Sequence, residues 1–129
     1  MQAARGAFNI LMVEDTIEYA TLNLMVLKRA GFHVQHAPDG EVAIRLIDAG
    51  LPDVLLLDLN LPRVSGWDVL KHVYSNYGEK AVRIIVTTAF SDSANRLVGK
   101  LQQVDRYLTK PFTPQDLIRT LDEVLGIQA

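Results

Sequence analysis

The sequence predicts an α/β fold: an open, doubly wound, five-stranded parallel sheet in the order 2-1-3-4-5, with helices on both faces. Three observations predict it. Short apolar runs alternate with longer segments of helical period, the rhythm of parallel strands joined by crossover helices. The runs centred on Leu11, Leu56 and Ile85 are apolar on both faces, as strands covered by helices on each side must be. The length of 129 residues is common for one domain and accommodates five such units, whose crossovers are right-handed almost without exception.

FNILMV, residues 8–13, reads as the first strand, and a helix follows from about residue 16 to 30 in which Ile17, Ala20, Leu24 and Leu27 form a stripe to lie on the sheet. FHVQH (32–36) is the second strand, and a helix over about 40–49 follows it. Gly31 and Gly50 come just after these two helices, where left-handed C-terminal caps are expected. VLLLD (54–58) is the third strand. Next comes a helix over about 65–77, with Gly66 expected to serve a loop that needs positive φ. VRIIVT (82–87), a helix near 91–103 and DRYLT (105–109) complete the sheet. The last helix, 114–125, carries its own start signals: Thr113 as cap, Pro114 in the first turn and Asp116 facing the positive end of the helix dipole. Leu117, Leu121, Val124 and Leu125 then face inward. No repeat, low-complexity segment or linker interrupts the pattern, so residues 1–129 are expected to form a single domain with residues 1–6 flexible.

Composition narrows the function. The net charge is -2 and the thirteen Lys and Arg are scattered, which argues against direct nucleic-acid or membrane-surface binding. The absence of cysteine excludes disulfides, thiolate metal sites and a Cys nucleophile. With no signal-peptide core and no run near the roughly 20 apolar residues of a membrane span, the expected location is cytoplasmic.

The stretch DVLLLDLNLP (53–62) carries the chemistry, because a strand made for burial ends on a carboxylate, Asp58. A buried ionised carboxylate costs roughly several kcal/mol unless a cation or water meets it. Ligands of open α/β sheets bind at the carboxyl ends of the strands. There this sequence sets Glu14 and Asp15 after the first strand, Asp58 on the third, Thr87 and Thr88 on the fourth and Lys110 after the fifth. Carboxylates gathered in one crevice repel one another and are relieved best by a hard cation. Magnesium suits oxygen ligands, keeps several waters and leaves room for a phosphoryl oxygen; the Asn60 carbonyl can add a ligand, and Lys110 is expected on the opposite side. Asp58 is then a nucleophile that needs no general base, with Thr88 able to donate to a phosphoryl oxygen.

Taken together, ILMVED, LLLDLNLPRVSG, IIVTTA and YLTKPF, in this order and at these separations, resemble the receiver domain of two-component response regulators over nearly the whole chain. The resemblance implies a flavodoxin-like fold. It also implies a phosphorylation-dependent switch in which Asp58 accepts a phosphoryl group from the phosphohistidine of a sensor histidine kinase or a phosphotransfer protein. Magnesium would be held by Glu14 or Asp15, Asp58 and the Asn60 carbonyl, with Lys110 and Thr88 gripping the phosphoryl oxygens. Such a domain is a signalling device that catalyses its own phosphotransfer and autodephosphorylation rather than a metabolic enzyme. Thr88 moving toward the phosphate and Tyr107 turning inward would remodel the face of the fourth helix, fifth strand and fifth helix, which meets an output partner. The resemblance also allows a phosphorylation-dependent homodimer. The family's Lys-Pro peptide, here Lys110 to Pro111, is cis. Departures lie at Gln103 and Val104, which replace the usual Gly-Ala, and at Gly99 inside the fourth helix, which costs about 1 kcal/mol relative to Ala and hints at a mobile output face. Phe90, two residues beyond Thr88, is expected to slow hydrolysis.

The same residues also admit plainer roles. Asp15 can cap the first helix with Glu18 completing a capping box. Tyr107 and Trp67 can simply pack, Thr88 can be strand filler, and His33, His36 and His72 are too spread for a metal site. A haloacid-dehalogenase-type enzyme usually has a second Asp where Asn60 stands. A nucleotide-binding module would not have EDTIEY, acidic and without glycine, after its first strand. A receiver-like interaction module that carries no phosphate and an excised N-terminal domain of a longer transcriptional regulator remain as alternatives.

Overall fold

The computed structural model describes residues 2–89 and 104–127. After an N-terminal helical turn, Gln2–Arg5, the elements are β1 (Asn9–Val13), α1 (Ile17–Arg29), β2 (His33–Ala37), α2 (Gly40–Ala49), β3 (Val54–Asp58), α3 (Gly66–Tyr77), β4 (Arg83–Ala89), β5 (Arg106–Lys110) and α4 (Pro114–Leu125). The strands form one parallel sheet in the order β2-β1-β3-β4-β5, as expected. The predicted helix over 91–103, with Phe90, Gly99 and Gln103, lies outside the described residues. Among those described, no helix is long and apolar enough to cross a membrane.

Period-2 alternation explains why the middles of the central strands are apolar on both faces. Leu55 and Leu57 enter a core under α2 and α3 with Leu11, Val13, Ile84 and Val86. Val54 and Leu56 enter a second core under α1 and α4 with Ile10, Met12, Ile85, Leu117 and Leu121. Each strand residue therefore has an apolar layer to enter, and each large aliphatic so buried contributes about 1.5–3 kcal/mol.

Several local expectations change once tertiary contacts are seen. Gly31 has positive φ, 107°, but Gly50 at φ 177° is extended backbone that any residue adopts. Gly66 has no positive φ; it opens α3, and a Cβ there would meet the Asp58 carbonyl oxygen at 2.5 Å and the Leu59 Cα at 2.6 Å. Its glycine answers a close approach of helix to strand, which a turn-based argument misses. The one described non-glycine residue in the left-handed region is Arg63, φ 60°, in the loop between β3 and α3. Ile17 is 65% exposed rather than part of the stripe, and Asn23 is buried in its stead, because α1 lies on the sheet through Ala20, Leu24 and Leu27. The N-cap of α1 is Thr16, without a side-chain cap bond, so Asp15 is not the cap. The α4 signals act as expected: Thr113 and Asp116 form a reciprocal capping box, with Pro114 in the first turn. From the N-terminal helical turn Arg5 reaches the buried carboxylate of Asp122, with bonds of 3.1 and 2.6 Å.

Candidate functional site

The alternation that builds the second core also builds the site. Ile10 and Met12 on β1, Val54 and Leu56 on β3 and Leu108 on β5 enter the core under α1 and α4. Two residues further on, the same parity delivers Glu14, Asp58 and Lys110 at the carboxyl ends of their strands. Parallel register aligns those ends, pairing Val13 with Leu57 and Ala89 with Lys110.

Glu14 is 3% exposed and Asp58 4%. Each of Glu14, Asp15 and Asp58 offers a carboxylate oxygen within 4.8 Å of the others. Asp15 is exposed at the rim, with its side chain uncommitted to the helix cap. Lys110 does not stand opposite, as expected from the sequence: its Nζ bridges the two buried acids, 2.7 Å from Glu14 Oε1 and 3.1 Å from Asp58 Oδ2. The reason is electrostatic, since two desolvated carboxylates draw the nearest ammonium between them. The remaining oxygens are also held. Glu14 Oε2 accepts from the Thr16 amide at 3.1 Å, and Asp58 Oδ1 accepts from the Asn60 amide at 2.9 Å. The imidazole of His36 lies 2.8 Å, through Nε2, from the Glu14 carbonyl and donates to it, fixing the loop behind the acidic pair.

Burial pushes the Glu14 carboxyl above its ordinary value, against the lowering effect of Lys110 and of the Thr16 amide. For Lys110, burial alone would lower the ammonium's pKa. The bonds to Glu14 and Asp58 outweigh it and raise the value, keeping the group charged.

The other predicted residues are less gathered. Thr88 is buried at the end of β4 but has the parity of Ile84 and Val86, and its hydroxyl donates to the Ala89 carbonyl at 3.4 Å. Asn60 is exposed and touches Asp58 through its amide. Tyr107 is 46% exposed on β5, so it points outward here. The Lys110–Pro111 peptide is cis. One contact had no signal in the sequence: the Tyr19 ring lies under the Lys110 ammonium, Nζ to centroid 4.5 Å. An aromatic in the first turn of a helix says nothing of what it faces.

A crevice of three carboxylates with one bridging ammonium suits a hard cation and an anionic reactant. Comparison with known proteins decides the family. The sequence profile of the response regulator receiver domain matches residues 10–122. The chain belongs to this receiver-domain family. Receiver domains are signalling domains of two-component systems, and the doubly wound sheet found here is theirs. The phosphate regulon transcriptional regulatory protein PhoB of Escherichia coli is 31% identical over 92% of this receiver chain and 52% of its own length. The sensory transduction protein RegX3 of Mycobacterium bovis is 33% identical over 91% of the chain and 50% of its own. The receiver chain thus spans about half the length of these regulators. Among solved structures, the CheY-like receiver domain protein of Methanospirillum hungatei superposes with a TM-score of 0.80 at 30% identity, covering 92% of this chain and 94% of that one. The chemotaxis response regulator CheY4 of Vibrio cholerae gives 0.81 at 29%, covering 91% and 98%.

Proposed function

We propose that this receiver domain is a phosphorylation-dependent switch whose acceptor is Asp58. An oxygen of the Asp58 carboxylate attacks the phosphorus of a phosphohistidine on a sensor histidine kinase or phosphotransfer protein. The P–N bond breaks, and the departing imidazole keeps the electron pair and takes a proton from solvent. The observation that carries this is the position of Asp58, buried and in contact with the Lys110 ammonium while Glu14 and Asp15 lie within 4.8 Å. Phosphoryl transfer asks little more of a protein than such positioning and charge neutralisation.

The donor set fits magnesium, three carboxylate oxygens close together with a carbonyl-bearing loop beside them. Glu14 or Asp15, Asp58 and the Asn60 carbonyl would hold the ion, and the acid that does not ligate it would add charge. Bound there, magnesium would supply neutralisation of the phosphoryl oxygens. Lys110 turns from the carboxylates to a phosphoryl oxygen, and the Thr88 hydroxyl leaves the Ala89 carbonyl to donate to another. Tyr107 then turns in from its exposed place. The phosphoryl group shifts the population only by as much as it favours the active arrangement over the resting one. The face that changes, borne by β5 and α4, addresses an output partner, and the whole chain acts as one cytoplasmic unit, alone or as the receiver part of a longer regulator.

The test is incubation with acetyl phosphate and magnesium followed by intact mass. Wild type is expected to gain one phosphoryl group, and Asp58→Asn or chelation of magnesium to abolish the gain. A wild-type chain that stays unmodified would leave a receiver-like interaction module in its place.

A further inference from the structure

Lys110 carries its charge on a flexible four-carbon stem, so something must keep that charge where it is needed. Two of its neighbours are carboxylates, which lie on one side of it. On another side the Tyr19 ring centroid is 4.5 Å from Nζ, well within the roughly 6 Å over which a ring face attracts a cation. Tyr19 stands in the first turn of α1, four residues beyond Asp15. Its ring is itself braced: the Phe112 centroid lies 6.1 Å away with the planes tilted by 48°, and Phe112 packs on the core under α1 and α4. A pair of rings therefore joins the segment that bears the acids to the segment that follows the lysine.

We propose that Tyr19 is a positioning residue for Lys110 in the reaction assigned above, and the inference rests on that assignment. The carboxylates cannot do this task throughout the reaction, because the ammonium must leave their oxygens to meet a phosphoryl oxygen. A ring face accepts a cation without a directed bond, so Lys110 can pivot over Tyr19 while it stays in the crevice. Tyr19 acts through the lysine, whose ammonium it faces.

Two variants separate the ring face from bulk. Tyr19→Leu keeps apolar volume and loses the face, whereas Tyr19→Phe keeps the face. The initial rate of phosphoryl uptake from acetyl phosphate is expected to fall about threefold to tenfold in Tyr19→Leu and to stay within about twofold of wild type in Tyr19→Phe. In the NMR spectrum of the wild type, the ε-methylene protons of Lys110 should lie upfield from ring current, a readout that needs no variant to fold. Unshifted ε protons, an undiminished rate in Tyr19→Leu, or a Tyr19→Phe as slow as Tyr19→Leu would each overturn the proposal. A wild type that shows the shift but takes up no phosphoryl group would overturn the reaction assigned to the site, and the positioning role with it, while leaving the contact standing.

Discussion

Glu14 shows at the scale of one residue how the site trades stability for chemistry. Burial raises its pKa above the ordinary 4.5, so between that value and the folded one the native chain binds more protons than the unfolded chain. Its contribution to stability is therefore most favourable below 4.5 and declines as pH rises through the folded value. Lys110 has a profile of the same sign at higher pH: its pKa is raised above 10.5, so the stability it adds is complete below 10.5 and is lost as pH rises through the folded value. Removing the lysine leaves two buried carboxylates without their ammonium. Lys110→Ala is expected to lose about 3 kcal/mol at neutral pH, and clearly less near pH 4, by urea unfolding at the two pH values. Equal losses at both would show that the carboxylates are relieved by something other than the lysine. Glu14→Gln should flatten the acid part of the wild-type profile.

Among elements, the loop between β3 and α3 is held by close backbone approaches rather than by propensity. A Cβ on Gly66 would drive into the Asp58–Leu59 backbone, and one on Gly40 into the Val64 carbonyl and side chain. Gly66→Ala is expected to cost about 1–3 kcal/mol through overpacking, read as a lower midpoint in urea with an unchanged slope. On the far side of the same loop, α2 and α3 are pinned together. Asp48 accepts from Tyr77 at 2.6 Å and from His72 at 2.8 Å. These bonds, that to His72 foremost, lower the Asp48 pKa below its ordinary 3.8. The stability Asp48 adds is thus present above 3.8 and lost as pH falls through the folded value. Asp48→Asn should remove this component from the acid limb of a thermal-stability profile, without effect at neutral pH on phosphoryl uptake.

Across the whole molecule, the N-terminal turn is fastened to the last helix. The Arg5 guanidinium forks the Asp122 carboxylate, donates to the Ala30 carbonyl at 3.3 Å and lies 5.8 Å over the Phe32 ring. Arg5→Ala is expected to destabilise by about 2 kcal/mol, and the double change with Asp122→Ala by less than the sum of the two single changes. Additive losses would mean that the two side chains do not depend on each other.

The extent to which the molecule was legible follows from the range of each interaction. Strands and helices are periodic, so the apolar runs around Leu11, Leu56 and Ile85 and the Thr113–Pro114–Asp116 start signal announced themselves, and with them the sheet and the residues at its carboxyl rim. What lay beyond reach was set by contacts between segments distant in sequence. Lys110 meets residues 96 and 52 positions away, Glu14 and Asp58, and bridges them rather than facing them. Gly66 is glycine for the sake of the backbone it touches, Ile17 leaves its expected stripe because α1 is rotated by its packing, and Tyr19 acquires its partner from the opposite end of the chain. By itself the sequence determined the described strands and crossover helices, the family, and the acids and lysine brought to one rim. Tertiary structure alone decided which charges touch, because periodicity is local whereas the energy of a buried ion pair depends on register, parity and rotation acting together across the fold.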